Sequence, residues 1–452
     1  MKSLFGTDGI RGEAGKFPLD SETARIIGSS LARYLEIASK QKPLIVIGRD
    51  TRESGEWLEQ SLAEGAREVR AKCLSAGVIT TPGVAYLTRT LGADAGVVIS
   101  ASHNPYHDNG IKIFAPTGQK IADSVERLIE KDIFDQTNHK EVRTIPTTLT
   151  LADSGEELRK RYLHFLSSEI GASLNLSGLN IVVDCANGAS YELAPELLRS
   201  LGANLKAINV TPDGRNINLN CGSLHIESLQ ETVVAERADL GIAFDGDADR
   251  ALFVDSQGIF VDGDATLWVL TNYLLKQQAL RDHTVVATVM SNIGLEIALR
   301  SLNVELIRTD VGDKYVLEEL LRRNASLGGE QSGHIILPSY SLAGDGMITS
   351  LCLIRAMIDA DKPLSELTKG FQRYPQILLN VRVREKIPFE ELPAVQSAVE
   401  EVQGHLSHNG RLLLRYSGTE PLARVMIEGE KQSEIDNYAA QIAGRIKDAI
   451  GA

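Results

Sequence analysis

Short apolar segments alternate with longer amphipathic ones through roughly the first 370 residues of the chain. Three of the apolar segments, rich in aliphatic and β-branched residues, are LIVIG (Leu44–Gly48), NIVVDCA from Asn180 and TVVATVM (Thr284–Met290). Such runs are typical of buried strands, and apolar residues at helical spacing follow each of them. Strands that alternate with helices predict α/β layers with parallel or mixed sheets.

The alternating pattern falls into three blocks, and each block has a strand that leads into a small polar loop. These loops are SASHN from Ser100, DGDAD from Asp245 and GEQSG from Gly329. The blocks are similar in pattern rather than in identical residues. They predict three related α/β domains.

The pattern changes from about Tyr374. There the alternating strand LLNVRVRE is followed by a helix, the strands LLLRYSG and RVMIEGE, and a final helix, which predicts a smaller α+β domain. We therefore predict four domains, with boundaries near 147–153, 255–263 and 370–375. The predicted domains are residues 1–150, 151–256, 257–371 and 372–452.

Composition narrows the class of protein. The chain has 452 residues, 43% of them hydrophobic, and a formal net charge of −13. An acidic surface does not attract nucleic acid or an anionic membrane, so neither is an expected partner. No uncharged apolar run is long enough to span a bilayer.

The cysteines and the N-terminus indicate the compartment. The four cysteines are widely spaced and form no CxxC pair, which argues against a zinc site or a disulfide framework. The N-terminal MKSLFGTDGIRGE contains no apolar core of a signal peptide. We expect a reduced, cytoplasmic protein.

The segment Val97 to Phe114 predicts a strand, a sharp polar loop and a returning strand. Ser102, His103 and Asn104 lie at the end of the first strand, and Lys112 follows on the second. A possible nucleophile and a cation are therefore expected at one edge of a sheet, where open α/β folds place their sites. A serine-rich surface turn is the alternative.

The second loop carries Asp245, Asp247 and Asp249. On an extended backbone, carboxylates at alternate positions lie on one side, where they need a cation to offset their repulsion. Oxygen ligands alone favour a hard ion, Mg²⁺ before Ca²⁺. An EF-hand is excluded because Arg250 and Ser256 replace its Gly and Glu; a solvated acidic turn stays open.

Other loops supply groups that bind sugars and phosphates. The third loop offers Glu330, Gln331 and Ser332 between glycines, which suits sugar hydroxyls, although a glycine-rich hairpin is an alternative. The fourth, RYSGTEPLAR from Arg415 to Arg424, combines guanidinium groups, hydroxyls and a glycine turn, as an anion cradle requires; a hairpin with incidental charge is the alternative.

Two further loops contain arginines. FGTDGIRG near the N-terminus frames Arg11 with glycines. We interpret GRDTRESG, with Arg49 and Arg52, as mainly a structural helix-entry loop in which Ser54 is the N-cap. Taken together, the loops predict phosphoryl transfer to and from a phosphosugar, a reaction that depends mainly on positioning and charge neutralisation.

Five motifs in order resemble the α-D-phosphohexomutases over essentially the whole chain. They are FGTDGIRG, ISASHNPYHDNGIK, FDGDADR, GGEQSGH and RYSGTEPLAR. The resemblance implies three related α/β domains with mixed sheets and a C-terminal α+β domain like the TATA-binding protein, arranged around a central cleft.

The resemblance also implies roles for individual residues. Ser102 would be the phosphoserine and, with the three aspartates, a ligand of one Mg²⁺ per subunit. Lys112 and Arg11, with His103 in the same loop, would act at the transferring phosphoryl group. The residues expected to bind the substrate's sugar and its second phosphate are Arg250, Glu330, Ser332, His334, Arg415, Ser417, Gly418, Thr419 and Arg424.

The implied reaction converts glucosamine 6-phosphate to glucosamine 1-phosphate and back, which feeds UDP-N-acetylglucosamine synthesis. Phosphoserine donates to the sugar, glucosamine 1,6-bisphosphate turns around, and its other phosphate returns to the serine; glucose 1,6-bisphosphate is an expected activator. The expected partner is therefore a small phosphosugar, and the expected assembly is a monomer or a homodimer.

Two positions depart from the family pattern. Many relatives have Gly in place of Ala248, and Gln331 occupies a position where glucose and mannose phosphomutases commonly carry Met. By resemblance, Gln331 favours glucosamine. The alternatives are a phosphoglucomutase or phosphomannomutase, a metal-dependent phosphosugar phosphatase, and a catalytically silent binding protein.

Overall fold

A computed structural model describes residues 4–6, 8–137, 155–407, 409–417 and 420–452. They form two compact units. The first comprises Met1–Val289 and Ile307–Thr368, and the second comprises Met290–Leu306 and Lys369–Ala452. The domain boundary predicted at 147–153 lies outside the described residues, and the four predicted domain ranges stay predictions.

The first sheet contains six strands. The nucleophile loop, residues 100–107 with Ser102, connects two of these strands, and Lys112 lies on the second of the two. The strands are β1 Phe5–Gly6, β2 Gly9–Glu13, β3 Leu44–Arg49, β4 Lys72–Val78, β5 Ala95–Ile99 and β6 Asp108–Phe114. The accompanying helices are α1 Ser21–Ser39, α2 Gly55–Glu68, α3 Thr81–Thr90 and α4 Asp123–Thr137. The strand order is β1-β2-β6-β5-β3-β4. Because β3 pairs in parallel with β4 and β5 while β5 and β6 are antiparallel, the sheet is mixed, as predicted.

The second sheet carries the loop with the three aspartates, residues 245–249, which is called the aspartate loop below. A connecting helix α5 Gly155–Phe165 and a π-helical turn Leu166–Ile170 precede it. Its strands and helices are β7 Asn180–Asp184, α6 Leu193–Ser200, β8 Asn204–Ile208, α7 Glu227–Glu236, β9 Leu240–Phe244, β10 Ala251–Asp255 and β11 Phe260–Val261. The order is β11-β10-β9-β7-β8, so the aspartates lie in the turn between the central antiparallel strands β9 and β10.

The third sheet has four strands. These strands and the neighbouring helices are α8 Gly263–Lys276, β12 Thr284–Thr288, α9 Ile293–Ser301, β13 Glu305–Thr309, α10 Asp313–Arg323, β14 Gly328–Gly329, β15 Ile335–Ile336, α11 Gly346–Ala360 and α12 Leu364–Leu367. The strand order is β13-β12-β14-β15. The predicted sugar loop connects the short strands β14 and β15.

The fourth sheet lies in the second unit and is wholly antiparallel, with two helices packed on it. Its elements are β16 Gln376–Arg382, α13 Pro393–Leu406, β17 Arg411–Tyr416, β18 Leu422–Glu428 and α14 Gln432–Ile450. The strand order is β16-β18-β17, and buried Val425, Ile427 and Ile442 belong to its core. This is the α+β domain that the sequence predicts after about residue 372.

One local prediction is wrong. Ser54 precedes α2, but its side chain makes no capping hydrogen bond. Its backbone is already helical, with φ −76° and ψ −13°, and its hydroxyl instead accepts a hydrogen bond from Asn109 Nδ2 at 2.8 Å. The loop before α2 therefore packs against β6 instead of capping a helix. Among the described residues, no helix combines the length and the apolar character needed to cross a bilayer.

A buried carboxylate anchors the second unit, and its removal should destabilise that unit. Glu428, at the end of β18, is completely buried; it accepts hydrogen bonds from Arg411 Nε at 2.9 Å and from the Ile293 N–H at the start of α9 at 3.1 Å. Glu428→Ala leaves Arg411 without this carboxylate, which should lower the free energy of unfolding by about 3 kcal/mol. Urea denaturation followed by the fluorescence of a reporter in this unit measures it. An equal loss in the exposed-pair variant Glu434→Ala would contradict this assignment.

Candidate functional site

Ser102 lies in the turn that follows β5 and is 3% exposed. Its hydroxyl donates to Asp245 Oδ2 at 2.5 Å, and His103 Nδ1 lies 3.3 Å from the same oxygen. Burial, with Arg250 and Arg11 nearby, lowers the pKa of His103 to about 4. The predicted nucleophile thus contacts both a neutral imidazole and the aspartate loop of another sheet.

Asp245, Asp247 and Asp249 are buried, and each has a carboxylate oxygen within 4.8 Å of those of the other two. The backbone between them is a turn, so the carboxylates come together in a different way from the one that an extended segment would give. Ala248 adopts the left-handed conformation at φ +56°, which reverses the chain direction and brings the carboxylates together. Glycine adopts this conformation freely, whereas alanine costs about 1 kcal/mol.

The three carboxyl groups have unequal proton affinities. Burial and the charge of Asp249 raise the pKa of Asp245 to about 6, and burial with both neighbours raises that of Asp247 well above its usual range. Burial opposes ionisation of Asp249 as well, but His334 and Arg250 outweigh it and hold its pKa far below the usual value. The cluster without a cation therefore carries less than its full negative charge.

The donor set fits a hard divalent cation. Asp247 Oδ1 and Asp249 Oδ1 are buried and accept no hydrogen bond from any described residue. Buried polar atoms without partners are rare in folded proteins, and these two belong to carboxylates of one cluster. Three carboxylates and one hydroxyl offer only oxygen, which suits Mg²⁺.

Two loops of the first sheet and the aspartate loop are packed closely together. Thr81, the first residue of α3, donates from Oγ1 to Asp247 Oδ2 at 2.5 Å and from its N–H to the Asp247 carbonyl at 3.0 Å. A Cβ atom on Gly246 would lie 2.5 Å from the Ser102 carbonyl oxygen, so only glycine allows this approach. The sequence carries no motif that identifies Thr81 as a neighbour of the site.

Arg11 on β2 and Lys112 on β6 share one carboxylate. Both side chains donate to Asp8, and Asp313 Oδ2 lies 3.6 Å from Lys112 Nζ. Burial disfavours the charged form of Lys112, but Asp8 and Asp313 outweigh it and raise the pKa of its ammonium. The structure thus brings together the two predicted cations and adds Asp8, which stands three residues before Arg11 within FGTDGIRG.

The third loop is a hairpin between β14 and β15, and it also reaches the aspartates. His334 is buried, its Nδ1 lies 3.4 Å from Asp249 Oδ2, and its pKa is raised to about 9 because Asp249 outweighs the effect of burial. Glu330 accepts from the Gly312 N–H at 3.2 Å and from Ser332 Oγ at 3.4 Å. Arg250 Nε lies 3.7 Å from Asp249 Oδ1.

The predicted phosphate loop lies in the second unit between β17 and β18. Arg415 stands directly opposite Arg424 in the antiparallel register. Like charges in such a pair are unfavourable unless an anion lies between them. Arg424 Nη2 is 3.4 Å from Ser417 Oγ, and its buried Nε donates to no described residue. Gly418 and Thr419 lie outside the described residues.

Comparison with known protein families matches all four segments of the chain to one family, phosphoglucomutase/phosphomannomutase. Its alpha/beta/alpha domains I, II and III match residues 2–140, 160–258 and 262–374, and its C-terminal domain matches residues 378–445.

Individual proteins agree with this match. Phosphoglucosamine mutase of Solibacter usitatus is 51% identical over 450 residues, covering 100% of this chain and 99% of its own; that of Koribacter versatilis is 45% identical over 455 residues, covering 100% and 98%.

Solved structures share the fold. A phosphoglucomutase/phosphomannomutase family protein of Burkholderia thailandensis has a TM-score of 0.78 at 22% identity, over 99% of this chain and 97% of its own. Aspergillus fumigatus N-acetylphosphoglucosamine mutase, in complex with GlcNAc-6P and magnesium, has a TM-score of 0.66 at 18% identity, over 99% and 96%.

Proposed function

The chain belongs to the phosphoglucomutase/phosphomannomutase family, and from this membership we propose that it is a phosphoglucosamine mutase. It is an isomerase that interconverts glucosamine 6-phosphate and glucosamine 1-phosphate. The observation that carries the proposal is the 2.5 Å contact between Ser102 Oγ and Asp245, which sets a nucleophilic hydroxyl against three buried carboxylates. The relatives that match this chain over nearly their whole length are named phosphoglucosamine mutase, which supports the choice of sugar.

Phospho-Ser102 is the resting donor in this proposal. The attacking sugar oxygen forms a new bond to phosphorus, the bond from phosphorus to Oγ breaks, and the proton of the sugar hydroxyl ends on Oγ. The neutral imidazole of His103, 3.3 Å from Oγ, is placed to carry that proton. Charged Lys112 and Arg11, held by Asp8, stabilise the negative oxygens of the transferring group.

Mg²⁺ would be held by Asp245, Asp247, Asp249 and an oxygen on Ser102, where it would neutralise charge and polarise the phosphoryl group. Glu330, Ser332, His334 and Arg250 are proposed to contact the sugar.

The proposed second phosphate site is the loop of the fourth sheet. It comprises Arg415, Ser417, Gly418, Thr419 and Arg424. Guanidinium groups and hydroxyls match phosphate oxygens in charge and geometry. Such a generic set accepts either phosphate of glucosamine 1,6-bisphosphate, so that the intermediate can turn around and return the other phosphate to Ser102. The four cysteines are free thiols, which supports our expectation of a cytoplasmic enzyme.

The proposed function predicts a clear order of substrates. Glucosamine 6-phosphate, glucose 6-phosphate and mannose 6-phosphate are supplied in turn with Mg²⁺ and a catalytic amount of hexose 1,6-bisphosphate, and products are followed by ³¹P NMR. We expect kcat/KM to be highest for the glucosamine ester, by at least about tenfold, since one specific polar contact is worth about 1.4 kcal/mol or more.

Two results would overturn the assignment. Equal or better turnover of the glucose or mannose ester would indicate a phosphoglucomutase or phosphomannomutase. Release of inorganic phosphate at the rate of substrate consumption would indicate a phosphatase. Peptide mapping of the purified protein is the control. It should find one phosphoryl group on Ser102, which verifies that the assayed enzyme is phosphorylated.

A further inference from the structure

The guanidinium of Arg52 is buried beneath the loop that carries Ser102. Its Nη1 donates to the Pro105 carbonyl at 2.5 Å, and its Nη2 donates to the carbonyls of Ser102 and Asn104 at 2.9 and 2.8 Å. The side chain is 1% exposed, so water does not compete for these bonds. One side chain therefore holds three carbonyl groups of the nucleophile loop.

Arg52 also closes a ring of hydrogen bonds around the backbone of Ser102. The Ser102 N–H donates to Ser100 Oγ at 2.9 Å, and Ser100 Oγ donates to Asp50 Oδ2 at 2.6 Å. The same carboxylate oxygen accepts from Arg52 Nε at 2.9 Å, and Arg52 Nη2 returns to the Ser102 carbonyl. Both the N–H and the C=O of Ser102 are thus fixed by one buried network, in which Asp50 balances the charge of Arg52.

Ser102 requires such support because its backbone is strained. Its φ of +50° lies in the left-handed region, which serine rarely adopts. Strained residues persist only where surrounding contacts over-determine them, and they cluster at functional sites. In this conformation the hydroxyl is directed at Asp245, so relaxation of the backbone would move the nucleophile away from the aspartates.

A second donor holds the same two carbonyl groups from the neighbouring sheet. Asn218 Nδ2 donates to the Ser102 carbonyl at 2.9 Å and to the Asn104 carbonyl at 3.1 Å. Asn218 is 8% exposed and belongs to the long connection after β8. Each carbonyl oxygen has two lone pairs, so Arg52 and Asn218 saturate both oxygens together.

We propose that Arg52 is a positioning residue for phosphoryl transfer, with Asn218 as its support. It holds Ser102 in the left-handed conformation and thereby aligns the phosphorylated oxygen for transfer in both directions. The inference rests on the proposed function, because it assigns Ser102 as the group that carries the phosphoryl. It concerns the rate of transfer, since neither side chain is proposed to touch the sugar.

The central test is Arg52→Lys. Lysine keeps the charge but lacks the planar fork that reaches Asp50 and three carbonyls at once. We expect kcat to fall about 100-fold with KM within about twofold, since a displacement of about 1 Å in a reacting group costs this much. The matched control is Arg49→Lys, because Arg49 pairs with Glu59 at 3.0 Å and donates to no described carbonyl of the loop. Its kcat should equal that of the wild type.

A second readout measures the loop directly and does not depend on activity. Hydrogen exchange of a peptide covering residues 99–108 should be at least tenfold faster in Arg52→Lys than in the wild type and Arg49→Lys. Asn218→Ala, which removes the weaker donor, should lower kcat about tenfold with faster exchange of the same peptide, and it decides the question if Arg52→Lys does not fold.

The outcomes separate the two proposals. A wild type that isomerises none of the three hexose phosphates overturns the proposed function, whereas loop exchange still decides the role of Arg52. Unchanged exchange in Arg52→Lys, or in Asn218→Ala where the first variant does not fold, overturns the positioning role. A slower enzyme with wild-type exchange, or faster exchange with wild-type kcat, overturns it as well, as does a rise in KM that accounts for the whole effect.

Discussion

Ser102→Ala should abolish isomerisation, lowering kcat by at least about 10⁴-fold. The alanine variant has no oxygen to carry the phosphoryl group, and removal of an enzymatic nucleophile commonly costs this much or more. The fold should survive because the lost hydrogen bond to Asp245 contributes only about 1 kcal/mol. A coupled assay gives the rate, and intact mass should show no phosphoryl group on the variant.

A buried serine elsewhere provides the control for Ser102→Ala. Ser29 in α1 donates to the Ile26 carbonyl of its own helix and to no other described residue, so Ser29→Ala should retain full activity. Activity of Ser102→Ala above a tenth of the wild-type rate would remove Ser102 from the mechanism. A phosphoryl group mapped to another residue of the wild type would do the same.

Asp247→Asn should weaken Mg²⁺ binding and activity while making the metal-free protein more stable. Asp247 Oδ2 accepts a hydrogen bond from Thr81, but Oδ1 accepts none from a described residue, which leaves this oxygen available to a cation. We expect kcat to fall about 10²-fold or more and the Mg²⁺ midpoint to rise by at least about tenfold. Thermal melting in EDTA should give a higher Tm than the wild type, because one of three mutually repelling carboxylates is neutral.

The same repulsion predicts the pH dependence of the metal-free wild type. Burial and Asp249 raise the pKa of Asp245 to about 6, and burial with both neighbours raises that of Asp247 well above its usual value, so above about 3.8 these two groups bind more protons in the folded state than in the unfolded state. The lowered pKa of His103 acts in the opposite direction but offsets only one of the two protons. Stability should therefore fall as the pH rises from about 4 to 6 and beyond, and added Mg²⁺ should restore it.

A buried aspartate outside the cluster is the control for Asp247→Asn, because its substitution removes the same charge away from the proposed metal site. Asp255 is buried on β10, and its Oδ1 accepts from the N–H groups of Gln257 and Ile259 at 2.9 Å. Asp255→Asn should leave the Mg²⁺ midpoint unchanged and should not raise the metal-free Tm. An unchanged Mg²⁺ titration in Asp247→Asn would exclude the three aspartates as the metal site.

Local patterns were sufficient to predict the sheets and the loops that carry chemistry. β5, the turn at Ser102 and β6 follow from one apolar run, a polar loop and its return. The pairing of Ser102 with the aspartates needed the resemblance between motifs, because the residues are 143 positions apart and no local rule connects them.

The contacts that complete the site were beyond such reasoning. Thr81 and Asn218 lie in segments without a chemical motif, and only tertiary packing brings them to Asp247 and to the Ser102 carbonyl. The sequence around Arg52 indicates a structural loop, because it shows a cation near the start of a helix but not the carbonyl groups that this cation binds. At Ala248, the alternating aspartates are compatible with an extended backbone, whereas in the structure a left-handed residue makes a turn.

The junction between the Ser102 hydroxyl and Asp245 has a consequence for how the enzyme matures on the ribosome. The serine is synthesised well before the carboxylate that contacts it, so a nascent chain can complete the first sheet while it still lacks every acidic ligand. In the proposed mechanism, phosphoryl transfer therefore requires the second sheet as well as the first, and a chain that ends before Asp245 is expected to be inactive. Activity in this architecture therefore depends on the complete synthesis and folding of both sheets.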